Sequence, residues 1–213
     1  MVEHRRDFDR QLQDIEIKII ELFAMVCEDL ADATQALLEG NDRAVGQLAE
    51  RERIINALYR QIEQLVSRAI LLQAPVASDL RFLLSVLRIA PELERSHDLV
   101  CHIADRASSA LAAELSPLCR VLIERMSELA GSMWRRTADC WYQRDGSVAS
   151  ALAEDDDKLD ELHASLMAEL ASGKMPLPVT MQMTLATRFY ERLGDHAVNI
   201  ARRVEYLAGS TAS

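Results

Sequence analysis

The sequence predicts an all-α protein built as two tandem three-helix bundles, with six long antiparallel helices. Three observations carry that fold class. Apolar residues recur at steps of three and four along most of the chain, and no useful stretch alternates with period two. Glycine (7), proline (5) and aromatic residues (5%) are scarce, while Ala, Leu, Glu and Arg are abundant, a composition that favours helices over strands. The two halves of the chain also resemble each other in order and spacing.

The first helix carries Phe8, Leu12, Ile15, Ile19, Leu22, Val26, Leu30, Ala33 and Leu37 on one face, and Gly40 suits its C-terminus. A second, from about Arg43 to Leu72, carries Val45, Leu48, Ile55, Leu58, Ile62, Leu65 and Ile70, until Gln73-Ala74-Pro75 breaks it. Ser78 is placed to cap the third, which runs through Leu80, Leu83, Leu84, Leu87, Leu93, Val100 and Ile103. Pro91 inside it predicts a kink, because the ring removes a donor and crowds the preceding turn.

Ser116-Pro117 is a cap-plus-first-turn signal for a fourth helix, which reaches about Gln143 and a turn at Asp145-Gly146-Ser147. The fifth carries Val148, Leu152, Leu159, Leu162, Leu166 and Leu170, and the Ser172–Pro178 segment stops it. The sixth holds Met183, Phe189, Leu193, Val198, Ile200, Val204 and Leu207. The expected units are residues 1–113 and 114–208, followed by a flexible tail at 209–213.

Charge narrows the function. Thirty-four acidic residues against 24 basic ones give a formal charge of -10, which disfavours nucleic acid as a partner. The longest run without a charged residue, Met175–Thr187, contains two prolines and falls short of the ~20 residues a transmembrane segment needs. The N-terminal residues lack the apolar core of a secretion signal. Cys27, Cys101, Cys119 and Cys140 form no Cys-x-x-Cys pair and read as packed thiols.

Ala49-Glu50 with Ile55 and Leu58 matches Ala153-Glu154 with Leu159 and Leu162 at a step of 104. Residues 89–106 match 186–203 at a step of 97, with six identities in 18, among them Glu94/Glu191 and Asp98/Asp195. Acid pairs four residues apart are not rare: the chain has seven, where chance gives about five, so spacing alone means little. Glu94/Asp98 and Glu191/Asp195 stand out because they occupy equivalent places, and Glu94 and Asp98 also continue an apolar stripe made by Leu80, Leu84 and Leu87. Carboxylates so placed need arginine, a proton or a cation.

Asp156 and Asp160, flanking Leu159 on the preceding helix, complete a four-carboxylate set with Glu191 and Asp195. The first half offers Glu52, Glu94 and Asp98, with Asn56 as a neutral fourth group, so the second site is expected to be the stronger. Oxygen donors of this kind suit hard divalent or trivalent ions, among iron, zinc, manganese and magnesium. Glu94 and His97 make one Glu-x-x-His step, but Gly194 stands in place of a second histidine, which argues against a di-iron oxidase bundle. His4, His102 and His163 read as surface or structural groups. No nucleophile–base set is evident, since Ser96 and His97 are helix neighbours that do not face each other.

The stretch Glu191-Arg192-Leu193-Gly194-Asp195-His196-Ala197-Val198-Asn199-Ile200-Ala201 closely resembles the signature of the PhoU family. Gln73-Ala74-Pro75-Val76-Ala77-Ser78-Asp79-Leu80-Arg81 resembles that family's loop before the third helix, and Phe8-Asp9-x-x-Leu12 also fits. The resemblance implies a cytoplasmic, non-enzymatic negative regulator of phosphate uptake and of the phosphate-starvation response. Its implied partners are a phosphate-sensing histidine kinase, the ATPase of a phosphate ABC transporter and a second copy of itself as a homodimer. It also implies metal clusters on the acidic motifs, here Glu94/Asp98, Glu191/Asp195 and Asp156/Asp160, and less closely Glu52/Asn56. Ser96-His97 in place of the usual Ile-Gly, Asn56 in place of an acid, and Pro91 mark the first half as the more divergent. The competing expectation is a carboxylate-bridged metal-dependent enzyme, an oxidase or phosphatase, using the second acidic site.

Overall fold

A computed structural model describes residues 2–209 and contains α-helices α1 (Val2–Glu39), α2 (Asp42–Gln73), α3 (Ala77–Ala104), α4 (Ser109–Ala113), α5 (Pro117–Gln143), α6 (Ala149–Ala171) and α7 (Leu177–Gly209). The expected tail lies largely beyond these residues. Six helices are the long ones predicted. The seventh, α4, is a five-residue helix in the crossing between the halves, and a 3-10 turn at Gly146–Val148 precedes α6. Neither is long enough to show a periodic apolar face.

Local chemistry sets most helix ends. Asn41 begins α2 by accepting a hydrogen bond from the Arg43 amide, and Ser116 begins α5 by accepting one from Cys119, with Pro117 in the first turn. Gly40 takes φ +69°, where a Cβ would also lie 2.5 Å from the Ser109 backbone, so a side chain is excluded twice. One expectation needs correction. Val76, in extended backbone and without a side-chain cap, precedes α3 in place of Ser78. The Ala74 and Ala77 backbones, both at positive φ, turn the chain so that the helix starts two residues earlier than a Ser78 cap requires. Helix α3 runs on through Pro91, which lies in its interior as expected.

Burial repeats along the chain. In α1, Ile15, Ile19, Leu22, Val26, Asp29, Leu30 and Ala33 are buried, and 104 residues later so are Cys119, Ile123, Met126, Ala130, Met133, Trp134 and Thr137 of α5. The same step relates Leu48, Ile55 and Ile62 of α2 to Leu152, Leu159 and Leu166 of α6. A step of 97 relates Val86, Ile89, Leu93 and Val100 of α3 to Met183, Ala186, Tyr190 and Ala197 of α7. Helices α1, α2 and α3 pack together, as do α5, α6 and α7, and the halves join where α1 meets α5 and α3 meets α7.

The buried side chains form one continuous cluster across that join. Polar ties fix its register. Tyr190 and Thr34 hydroxyl oxygens lie 2.7 Å apart, linking α7 to α1, and Trp134 Nε1 donates to the Leu193 carbonyl at 3.1 Å, linking α5 to α7. No helix among the described residues is long and apolar enough to cross a membrane. The four cysteines are free thiols, three of them buried.

Candidate metal centre

In the second half, α6 and α7 bring all four expected carboxylates into one electrostatic neighbourhood. Burial first, then the charges of Asp195, Asp160 and Glu191, push the Asp156 carboxyl up to about 6. Burial also raises Glu191, with Asp195 and Asp160 adding to it and Arg188 opposing. The reason for this crowding is Gly194. A Cβ there would lie 2.5 Å from Asp156 Oδ1 and 2.7 Å from Leu159 Cδ2. Only glycine lets α6 come so close that its carboxylates face those of α7.

The pairing of Glu191 is incomplete. Arg188 donates to Oε1, while Oε2 is buried without a hydrogen-bond partner. The Nδ1 atom of His163 is likewise buried and unpartnered, and His163 acts electrostatically on Glu191. Among the described residues no three His, Cys, Asp or Glu side chains converge on a single ion-sized point. Asp160 and Asp195 are exposed and able to swing, so a cation would draw the oxygens inward rather than enter a finished cage. An orphaned carboxylate oxygen, two carboxyls raised by burial and by neighbouring acids, and an all-oxygen set with a nearby imidazole fit a hard or borderline cation.

The first half repeats the arrangement in weaker form. Burial raises Glu94, Asp98 adds to that, Arg95 opposes, and Glu52 contributes from α2. Asp98 is raised by burial and lowered by His102 and His97. Asn56, half-buried, supplies no charge.

Three groups, His163 (read above as a surface or structural group), Asp29 and His196, were not among the predicted site residues. His163 lies three residues after Asp160 and seven after Asp156, so its spacing already put it on the acidic face of α6. Asp29 is fully buried in α1, 2.7 Å from His97 Nε2, and accepts from Arg51. Its signal was a carboxylate in register with Val26 and Ala33 on the apolar stripe. His196 is buried on the α3 side of α7, with Nδ1 2.9 Å from Ser96 Oγ and 3.6 Å from Glu92 Oε2. Ser96 thus meets His196 rather than its neighbour His97.

These contacts do not assemble a reactive nucleophile. Both Ser96 and Glu92 address the same nitrogen of His196, leaving no second nitrogen held by an acid as in a relay. Cys101 Sγ lies 3.5 Å from His97 Nδ1, but it is buried, and burial pushes its thiol up to about 12.

Taken together, the molecule is a duplicated all-α scaffold whose equivalent helices carry acidic clusters on its flanks. The same architecture appears in solved structures. The crystal structure of PhoU from Pseudomonas aeruginosa superposes with a TM-score of 0.86 at 29% identity, covering 94% of this chain and 98% of that one. The phosphate transport system regulatory protein PhoU from Streptococcus pneumoniae gives 0.82 at 25% identity, covering 94% and 96%. A sequence profile of the PhoU domain matches residues 19–107 and 123–204. A Synechocystis protein named phosphate-specific transport system accessory protein PhoU homolog is 32% identical over 206 residues, 95% of this chain and 92% of its own length. A Pseudomonas putida homologue of the same name is 29% identical over 210 residues, covering 97% and 82%. The chain belongs to the PhoU family.

Proposed function

We propose that this protein regulates phosphate transport as a non-enzymatic, metal-binding helical adaptor of the cytoplasm. It restrains phosphate uptake and the phosphate-starvation response by contacting the ATPase of a phosphate ABC transporter and a phosphate-sensing histidine kinase, and it acts as a homodimer. Family membership and the accessory role named for its relatives support the regulatory part. Long helices with exposed apolar residues such as Ile17, Leu71 and Leu177, and Val76 just before α3, give it surface for docking.

One observation carries the metal part: the buried, unpartnered Glu191 Oε2 beside an Asp156 carboxyl raised by burial and by the acids around it. In this reading Asp156, Asp160, Glu191 and Asp195 hold a divalent or trivalent ion, with His163 within reach as a nitrogen donor. Glu52, Glu94 and Asp98 form a weaker second site. Iron, zinc, manganese and magnesium are the candidates by donor chemistry. The bound charge offsets acid–acid repulsion and holds α6 to α7, leaving a defined surface for partners.

The test is elemental analysis of protein purified without chelator. The reading expects at least one ion per chain, lost on changing Glu191 and Asp195 together to alanine while the helical spectrum persists. Metal-free protein that fails to take up iron, zinc, manganese or magnesium on titration would contradict it.

A further inference from the structure

Helices α3 and α7 cross antiparallel at Ser96 and His196, and the step of 97 residues relates the groove on one side of that crossing to the groove on the other. The two ends have diverged. At one, the His102 and Phe189 rings lie 5.6 Å apart and the Arg106 guanidinium covers Phe189 at 4.6 Å, so the groove is plugged. At the other, the equivalents of Phe189, His102 and Arg106 are Glu92, Asn199 and Arg203. No ring stands there, and a hollow of about 860 Å³ remains, within the range of small-molecule sites.

Charge has diverged in parallel. Asp105 and Leu185 at the plugged end become Arg202 and Arg88 at the open one. The hollow is therefore lined by three guanidiniums, Arg88, Arg202 and Arg203, against the single carboxylate of Glu92, in a chain whose net charge is -10. Among the described residues, none of the three arginines has an acidic partner, while Glu92 is turned toward His196 at 3.6 Å. Pro91 also lines the hollow and has no N–H to return to the Leu87 carbonyl one turn back, which leaves an acceptor for a ligand's donors.

We propose that this hollow is a binding site for a small phosphate-bearing molecule, its phosphate oxygens held by the forks of Arg88, Arg202 and Arg203. Guanidinium matches phosphate in two-pronged geometry. The volume leaves room for an organic body beyond the phosphate, with the Asn199 amide and the Leu87 carbonyl as its polar contacts. The site is separate from the acidic clusters, which lie where α3 meets α2 and where α7 meets α6, and it does not depend on metal.

Calorimetric titration of the full chain in excess EDTA tests this with ATP, AMP and inorganic phosphate as probes. Saturable binding of ATP or AMP identifies a nucleotide as the source of the phosphate, and saturation by inorganic phosphate alone identifies the free ion. In either case Arg88→Ala and Arg203→Ala are each expected to weaken binding tenfold or more, and Glu92→Gln to tighten it. Glu92→Phe, which rebuilds the plug of the opposite end, should abolish it. Asp195→Ala should bind like the parent, which separates this site from the metal reading. Circular dichroism and melting curves confirm that each variant is folded. The proposal is overturned if none of the three probes saturates at millimolar concentration, if binding survives both arginine changes, or if only an acidic peptide binds.

Discussion

Asp29 and His97 sit where the second repeat has Met133 and Gly194, so one buried hydrogen-bonded pair replaces a thioether packed over bare backbone. Both side chains are fully buried, and Arg51 of α2 supplies the cationic partner of Asp29. Truncating one partner strands the others. Asp29→Ala is expected to cost about 3–5 kcal/mol in urea unfolding. The double change Asp29→Met with His97→Gly, which copies the second repeat, is expected to recover most of that loss. A double variant as unstable as the single one would show that the pair does more than fill space.

A second residue-scale prediction concerns Asp156. Its carboxyl titrates near 6 in the folded chain, against an ordinary value near 4. Below pH 4 both folded and unfolded forms hold the proton. As pH rises from 4 to 6 the unfolded chain releases it first, so this group's contribution to stability falls with rising pH. In EDTA, Asp156→Asn is therefore expected to melt above the parent at pH 7, with the gap closing toward pH 4. A gap independent of pH would place the effect elsewhere. The acidic clusters were legible in sequence because two independent periodicities put the same residue types at equivalent positions. Asp29 was overlooked, because a lone acid in register with an apolar stripe gives no sign of its partner until His97, 68 residues away, is placed beside it.

At the scale of elements, the long helices follow directly from apolar spacing and capping residues. The short ones do not. Helix α4 has five residues, too few for a periodic face, and the start of α3 depends on positive backbone angles at two alanines rather than on a side-chain cap. Gly194 shows how one position joins packing to the site. Gly194→Ala gains about 1 kcal/mol of helix propensity, and overpacking costs ~1–3 kcal/mol. The net change in stability is thus small, while the displaced atoms are Asp156 Oδ1 and Leu159 Cδ2. Metal affinity, followed by titration with manganese and zinc, is expected to fall tenfold or more while urea unfolding shifts by less than ~2 kcal/mol. An unchanged affinity would mean that Asp156 is not a ligand.

On the scale of the whole molecule, duplication explains more than either half does alone. The core runs unbroken from one bundle to the other, so the halves are held in fixed relation. Acidic clusters lie on the outer seams and a basic hollow at the central one. The net charge of -10 is therefore not a uniform coat; it is sorted by seam, which repeat matching revealed for the acids and the structure revealed for the arginines.

The central claim is that this charge-sorted scaffold is a metal-held adaptor. Affinity capture of the tagged full chain from phosphate-replete and phosphate-starved cells tests it most directly, beside the Glu191→Ala, Asp195→Ala variant. The account predicts that a histidine kinase and a phosphate transporter ATPase are recovered with the parent, more of them when phosphate is plentiful, and that the variant loses them while remaining folded. Recovery of neither protein under either condition would contradict it.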